Sequence, residues 1–277
     1  MLASCIDVLP IPSDIGEKKL FVVCEMQVGE HVKADVTYTG TANGVLPKDL
    51  EVPDTFNISL AEGDKDFGVP FRFDSKEEMF LIEKDLIPLK QGVRYKFRGI
   101  GNNPNTSEPS VVIPEPVLID TVILSEINTY SENSKFVTSM KCIVKISKNE
   151  NKPAYLFLVP KTENNQIWTV TRFEKDQGGL KRLHHREGFM VDYARLTTDE
   201  IHLSLTLTSS SLPTRIKMDV SNVTSAFYQY NNYLSNIVSD PGQSAQIPAI
   251  AGFNINTEKA FGSFSAINTT QRSFEIK

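Results

Sequence analysis

The sequence lacks any long apolar run and any excess of basic charge. Its 277 residues include 29 lysines and arginines against 34 aspartates and glutamates, a formal net charge of −5. The most apolar windows, residues 20–24 and 117–124, are strand-sized, whereas a helix that spans a bilayer needs roughly 20 apolar residues. Because phosphate binding needs a basic face, the acidic balance argues against nucleic acid as a partner. Contact with a membrane would therefore require an anchor or a partner protein.

The motifs that identify common enzyme classes are also absent. The sequence has no His-Glu-x-x-His, no Gly-x-Ser-x-Gly, no Cys-x-x-Cys and no phosphate-binding loop. We therefore predict a protein that is not an enzyme, with no cofactor and no metal site. A hydrolase whose site uses none of these motifs is the alternative.

Cysteine and tryptophan are scarce, with three cysteines and one tryptophan. Cys24 and Cys142 each alternate with apolar residues in strand-like windows, so we expect both to be small buried side chains. A disulfide between them is the alternative. Trp168 also lies in a strand-like window, which favours a core position over a role in stacking on a sugar.

Cys5 differs from the other two cysteines, because it follows Leu2-Ala3-Ser4. This tetrapeptide resembles the lipobox of bacterial lipoproteins, in which small residues precede a cysteine that receives a diacylglycerol. Residues 6–16 contain two prolines and no amphipathic period, which indicates an extended tether. We therefore predict that residues 1–16 are a lipobox and tether with Cys5 as the lipid attachment site. A chance tetrapeptide at the start of an ordinary domain is the alternative.

Patterns of period two dominate the rest of the chain. Apolar and polar side chains alternate over residues 31–38, 93–98, 201–208 and 215–220, as is typical of half-buried antiparallel strands. Many such strands with short turns predict a mostly β fold built from sandwiches or open barrels.

A proline-rich segment at residues 102–116 predicts a domain boundary. The part that precedes it has the size of one immunoglobulin-like sandwich. We therefore predict an N-terminal immunoglobulin-like β-sandwich at residues 17–115. A second antiparallel β domain with one main helix is predicted at residues 116–277.

One segment, residues 222–238, has apolar residues at spacings of three and four, which predicts a helix. Ser221 is the candidate N-cap. We expect this helix to pack on the sheet of its own domain. The alternative is an aromatic contact with a partner through Tyr228, Tyr230 and Tyr233.

Short motifs follow one another in order along nearly the whole chain. After Cys5 come Leu20-Phe21-Val22-Val23-Cys24-Glu25, Gly92-Val93-Arg94-Tyr95, residues 110–120, Tyr228-Gln229-Tyr230, Phe253-Asn254-Ile255 and residues 261–266. In this order they resemble a family of Bacteroidota outer-membrane lipoproteins of unknown function, often encoded beside TonB-dependent receptors. The family's pattern has a glycine directly after the acidic residue that corresponds to Glu25, whereas this chain has Met26 there. The resemblance implies that the protein carries a lipid anchor, lies at the outer membrane and is encoded beside a receptor. It identifies no catalytic residues.

Two further motifs predict candidate sites. Asp64 and Asp66 lie among alternating acids and a glycine, a spacing of oxygen ligands that can hold calcium. A solvated hairpin turn is the alternative there. Asp120-Thr121-Val122 resembles the O-glycosylation signal of exported Bacteroidota proteins, so Thr121 is a candidate modification site. Four Asn-x-Ser/Thr sequons are expected to be chance occurrences in a bacterial protein: Asn57, Asn105, Asn222 and Asn268.

Together these observations predict a membrane-anchored lipoprotein at the cell surface or on the periplasmic face of the outer membrane. It would be an accessory or binding subunit of a TonB-dependent transport complex or another outer-membrane protein complex. A glycan-binding surface lipoprotein is the alternative, and exposed coplanar aromatic rings would favour it. An exposed apolar patch would favour the accessory protein, and a deep cleft with coupled carboxylates would favour a hydrolase.

The lipid anchor can be tested by replacing Cys5 with alanine in a protein that carries an export signal. Because one acyl chain binds a membrane only marginally and two bind stably, Cys5→Ala should move from the membrane pellet to the soluble fraction. Fractionation followed by immunodetection measures this shift, and Cys24→Ala serves as the control that stays in the pellet. A Cys5→Ala protein that also stays in the pellet would contradict lipidation.

Overall fold

A computed structural model of the protein describes residues 20–38, 57–60, 66–98, 109–147, 153–173, 178–239, 254–256 and 260–276. In this described part the fold is mostly β, with 60% strand and one α-helix, and it contains several antiparallel sheets. The mostly β prediction is therefore confirmed. Cys5 and Asp64 lie outside the described residues.

The strands are, in chain order, β1 (Leu20–Gln27), β2 (Val32–Tyr38), β3 (Asn57–Leu60), β4 (Asp66–Pro70), β5 (Arg72–Asp74), β6 (Met79–Ile82), β7 (Arg94–Arg98), β8 (Ser110–Val112), β9 (Ile119–Glu132), β10 (Lys135–Ile146), β11 (Tyr155–Thr162), β12 (Thr169–Phe173), β13 (Leu180–Arg182), β14 (Phe189–Asp192), β15 (Glu200–Ser209), β16 (Arg215–Val223), β17 (Ile255–Asn256) and β18 (Ala260–Glu275). A short 3-10 helix covers Tyr193–Arg195, and the α-helix α1 covers Ser225–Ser239. No helix in the described part is long and apolar enough to cross a bilayer.

Two sheets enclose the core of the first half. Strands β1, β2, β6 and β5 lie side by side in one sheet, and β4, β3, β7 and β8 form the other. The period-two pattern of β1 turns Val22, Cys24 and Met26 inward, where all three are fully buried. Tyr95 and Phe97 of β7 pack in the same core. This arrangement agrees with a β-sandwich.

The sheet that contains β1 continues through β18, and this continuation and a third sheet enclose a second core. Its walls are the strands β13, β14, β11, β16 and β18 on one side and β12, β15, β10 and β9 on the other. Leu203 and Leu205 of β15 and Met218 of β16 are fully buried between them. The second half is therefore an antiparallel β unit that carries the helix, as the sequence predicted.

Strand β18 belongs to both halves. Its residues 260–267 pair in parallel with β1, and its residues 267–275 pair antiparallel with β16. Phe264 and Ala266 are buried in the first core, whereas Phe274 packs against the second. The sequence predicted that this strand belongs wholly to the second domain, residues 116–277. In the structure, β18 contributes to both cores.

Gly262 makes the parallel pairing of β1 with β18 possible. It lies opposite Val22 and has a φ of 151°. A Cβ atom at this position would lie 1.8 Å from the backbone oxygen of Val22. Only glycine therefore allows the two backbones to approach so closely.

The proline segment between the two halves is fastened to this sheet. The Nδ2 atom of Asn268 donates to the oxygen of Pro114 at 2.9 Å, and the Nδ2 atom of Asn222 donates to the oxygen of Glu115 at 2.8 Å. Asn222 and Asn268 face each other across β16 and β18. Two of the four sequon amides are thus bonded to the chain itself, which gives them a structural role.

The helix begins three residues later than predicted. Asn222 and Val223 continue the pairing of β16 with β18, so the predicted start at Asn222 is wrong. The predicted cap at Ser221 is also wrong, because Ser221 lies in β16 and its hydroxyl is 2.8 Å from that of Thr269. Phe227 packs on Phe157 of β11, with ring centroids 5.8 Å apart. The helix therefore lies on the sheet of its own half, as expected.

Cys24 and Cys142 are free thiols in separate cores. The disulfide alternative is therefore excluded. Burial raises the pKa of Cys142 to about 12. Burial also raises the pKa of Cys24, and the charge of Glu25 adds to the effect. Both behave as small apolar side chains, as predicted.

Gly262→Ala should lower the free energy of unfolding by about 3 kcal/mol, since the added Cβ strains the backbone and pushes β1 away from β18. Urea denaturation followed by circular dichroism measures the loss. Gly178→Ala is the matched control, because no heavy atom lies within 4 Å of its added Cβ. Equal stability of the two variants would show that the close approach of β1 and β18 is unimportant.

Candidate functional site

A cluster of polar side chains lies where the loop between β13 and β14 meets α1 and β1. We call residues 183–188 the junction loop. Gly188, with a φ of 110°, lets the loop approach β11, because a Cβ there would lie 2.6 Å from the oxygen of Leu158. The junction loop, Arg182 and residues 167–170 line a cavity of about 320 Å³.

Arg186 connects the two halves of the molecule. Its Nη1 atom lies 3.0 and 3.3 Å from the carboxylate oxygens of Glu25 on β1, and its Nη2 atom lies 3.4 Å from Oε2. The guanidinium carbon is 5.1 Å from the ring centroids of both Phe157 and Phe227. A planar guanidinium combines the two-oxygen contact with ring stacking, which a lysine cannot do.

His185 holds the junction loop on α1. Its Nε2 atom lies 3.0 Å from Oδ1 of Asn231, whose Nδ2 donates to the oxygen of Phe227 at 2.9 Å. Because this second bond fixes the amide with Oδ1 toward the ring, His185 carries its proton on Nε2. Ser235 reinforces the contact, since its hydroxyl lies 3.3 Å from the nitrogen of His184 and 3.3 Å from the oxygen of Arg182.

Lys181 of β13 adds a second connection to α1. Its Nζ lies 2.5 Å from Oδ1 of Asn232, 2.5 Å from Oδ1 of Asn236 and 3.3 Å from the oxygen of Asn232. Desolvation by burial lowers the pKa of Lys181 below its ordinary value. Three neutral oxygens thus hold an ammonium group whose role is to keep β13 against the helix.

The chemistry available in this cavity is limited. Nε2 of His185 is bonded to Asn231, Nδ1 of the same ring is buried with no hydrogen-bond partner among the described residues, and Arg186 is paired with Glu25. Thr169 supplies the one hydroxyl among the lining residues, and it is exposed. Within the described ranges no three His, Cys, Asp or Glu side chains converge as metal ligands. The polar cluster positions the junction loop. The residues that line the cavity include no hydroxyl or thiol paired with a base.

Trp168 lies behind the cavity with 1% of its surface exposed, and it packs in the second core. An indole that is this deeply buried cannot stack on a sugar. The core position expected from the sequence is therefore confirmed.

The three tyrosines of α1 pack in different directions. Tyr228 stacks on Tyr155 of β11 with ring centroids 4.2 Å apart. Tyr230 lies 6.4 Å from the ring of Phe21 on β1, and burial raises the pKa of Tyr230 to about 12. Tyr233 is half-buried. Much of the surface of these tyrosines is thus in contact with other residues of the same chain. Their contact with a partner stays a prediction.

The remaining candidates occupy separate places. Thr121 is half-buried on β9, opposite Lys145 of β10. The preceding Asp120 lines a cavity of about 750 Å³ together with Lys145 and Glu200. Asp66 begins β4, and its proposed calcium partner Asp64 lies outside the described residues. Modification at Thr121 and calcium binding therefore stay predictions.

The structure also reveals a surface that the sequence analysis missed. Strand β9 is the outer strand of its sheet. Leu118, Ile123 and Tyr130, on or next to β9, are 51%, 43% and 55% exposed. The available signal was that apolar residues continue beyond residue 124, with Ile127 and Tyr130 among polar neighbours. We call residues 118–132 the β9 edge.

No family model matches the chain, and no curated protein matches it significantly. The resemblance to outer-membrane lipoproteins therefore stays a prediction from the sequence.

Arg186→Lys should lower the free energy of unfolding by about 2 kcal/mol, because lysine keeps the charge and loses the two-oxygen contact and the ring stacking. Chemical denaturation measures the change. Lys33→Ala is the control, since the Lys33–Glu77 pair is 3.6 Å long and half exposed, and it should cost less than about 1 kcal/mol. A smaller effect for Arg186→Lys than for the control would refute the connecting role of Arg186.

Proposed function

We propose that this protein is a lipid-anchored, non-enzymatic binding subunit of an outer-membrane protein complex. The expected partner is a TonB-dependent receptor or a protein beside it. Cys5 would carry the anchor. The two fused β units would hold a binding surface at a fixed orientation above the bilayer.

The observation that carries this proposal is the β9 edge. Single exposed apolar side chains are common on protein surfaces. Here Leu118, Ile123 and Tyr130 follow one outer strand of the second core. Ile123 and Tyr130 lie opposite Ile143 and Val137 of β10, and exposed apolar side chains spaced along one outer strand favour contact with an extended protein surface.

The proposed anchor strengthens the argument for a partner in the same membrane. A tether of about ten residues reaches no more than roughly 35 Å, so contact would occur near the bilayer surface. Confinement to one membrane also raises the effective concentration of the two proteins, and a modest interface is then sufficient.

The glycan-binding alternative has less support from the geometry. Among the exposed large apolar residues that the structure describes, the aromatic ones are Phe73 and Tyr130. Phe73 lies on β5 and Tyr130 on β9, in different sheets. Two aromatic rings on separate sheets do not make a common platform for a sugar, and Trp168 is buried.

Co-purification tests the proposal. A tagged, lipidated protein, extracted in mild detergent from cells that make the neighbouring receptor, should emerge with that receptor or its complex, identified by mass spectrometry. Replacing both Ile123 and Tyr130 with serine should reduce recovery of the partner about tenfold or more, because the central apolar contacts of an interface carry most of its affinity.

The control for this experiment is Phe73→Ser, which removes a ring that is 58% exposed on a different sheet. It should leave the recovery of the partner unchanged. A wild-type protein that reproducibly emerges alone would contradict the proposal and favour the glycan alternative.

A further inference from the structure

Two buried nitrogen atoms without partners belong to side chains that line the cavity beside the junction loop. They are Nε1 of Trp168 and Nδ1 of His185, and neither has a hydrogen-bond partner among the described residues. Both side chains line the same cavity of about 320 Å³. Leaving a buried polar group unpaired costs free energy, so the large majority of such groups in native proteins are hydrogen-bonded. We therefore expect the partner of these two nitrogens to bind in the cavity.

The two nitrogens have opposite hydrogen-bonding roles. The indole Nε1–H of Trp168 can only donate. Nε2 of His185 carries the proton and faces Oδ1 of Asn231, whose amide is oriented by its bond to the oxygen of Phe227. In a neutral imidazole the other nitrogen, Nδ1, is then an acceptor. A ligand that satisfies both nitrogens must therefore accept one hydrogen bond and donate another.

The charged side chains around the cavity balance one another. Arg186 is already paired with Glu25. The other charged side chains of the lining are Arg182 and Glu187, which have opposite signs. The cavity therefore has no excess charge that would attract an ion of one sign.

The hydrogen-bonding roles lead to the same conclusion. A carboxylate only accepts hydrogen bonds, so it could not donate to Nδ1 of His185. An ammonium group only donates, so it could not accept from Nε1–H of Trp168. A hydroxyl group does both, and the hydroxyl of Thr169, which also lines the cavity, can bond to another hydroxyl in either direction. The site thus favours a neutral molecule that carries hydroxyl groups.

The cavity has room for one small ring. Since a water molecule occupies about 30 Å³ in the liquid, 320 Å³ can hold about ten non-hydrogen atoms, roughly the size of one sugar ring. Val170 and Leu183 are buried and give the cavity an apolar wall, whereas Arg182, His184 and Glu187 are exposed and open it to solvent. An apolar wall with a few placed polar groups is typical of small-molecule sites.

We infer that this cavity binds a small neutral molecule with several hydroxyl groups, of the size of one sugar ring. One hydroxyl accepts from the indole N–H of Trp168, and a hydroxyl donates to Nδ1 of His185. The indole offers its edge and not its face, which agrees with its burial. A cavity of this size holds one ring and not a glycan chain, which separates this ligand from the surface-glycan alternative.

Trp168 is the only tryptophan of the chain, so its indole N–H gives one reporter signal in a two-dimensional nitrogen–proton NMR spectrum of the full chain. The probes are D-glucose, D-galactose and myo-inositol. The controls are cyclohexanecarboxylate and cyclohexylammonium, which have a ring of the same size with one charge and no hydroxyl group. At least one of the three probes should shift the indole signal until it saturates, because Nε1–H gains an acceptor, and neither control should do so.

A substitution of His185 gives the second measurement. In His185→Gln the amide nitrogen can still donate to Oδ1 of Asn231, but there is no acceptor at the position of Nδ1. The affinity for the probe that binds best should fall about tenfold, the effect of losing one buried hydrogen bond.

His31→Gln is the matched control, because it makes the same chemical change in the first half of the molecule, where His31 accepts from the nitrogen of Lys84 at 3.2 Å. It should bind the probe as the wild type does. Both variants are first compared by circular dichroism and urea denaturation. If His185→Gln does not fold, the indole signal of the wild type decides by itself.

Three results would overturn the inference: an indole signal that none of the three probes shifts, an equal or larger shift with either charged ring, or equal affinity of His185→Gln and the wild type. Strand β12, which supplies Thr169 and Val170 to the cavity, lies at the opposite end of its sheet from β9. The experiment uses neither a membrane nor a receptor. Failure of the probes would therefore leave the proposed function standing, and failure to capture a receptor would leave the ligand site standing.

Discussion

The pairing of β1 with the first half of β18 is the contact on which both halves of the molecule depend. One continuous strand lies beside β1 in the first core and beside β16 in the second, so neither half can rotate without breaking backbone hydrogen bonds. Gly262 permits this pairing because a side chain at its position would collide with the backbone of Val22. A single glycine thereby controls the approach of two strands that are more than two hundred residues apart in sequence.

The polar groups around this contact reinforce it from three directions. Arg186 reaches from the junction loop to Glu25 on β1. The amides of Asn222 and Asn268 hold the proline segment that connects the halves. The helix covers the outer face of the shared sheet. A chain with these connections holds its outer edges at fixed positions.

The contrast between the cavity and the β9 edge explains where function is proposed. Around the cavity, Nε2 of His185 is bonded to Asn231 and Arg186 is paired with Glu25, whereas Nδ1 of His185 and Nε1 of Trp168 are buried with no hydrogen-bond partner among the described residues. The β9 edge has outward backbone groups without partners in the described structure, and it has apolar side chains in solvent. Covering exposed apolar side chains is favourable, so the β9 edge is the candidate for contact with a partner protein.

The sequence by itself determined which side is buried in those strands whose apolar and polar residues alternate. Period-two alternation correctly predicted the mostly β fold and the burial of Cys24, Cys142 and Trp168, and the spacing of apolar residues predicted the helix. Alternation shows which face of a strand is apolar, but it does not show which strand lies beside it. The tertiary structure alone decided that β18 joins both cores, that Asn222 extends β16 instead of starting α1, and that β9 is an outer strand. Each of these features depends on hydrogen bonds between residues far apart in the chain. Local sequence patterns do not predict which distant residues form these hydrogen bonds.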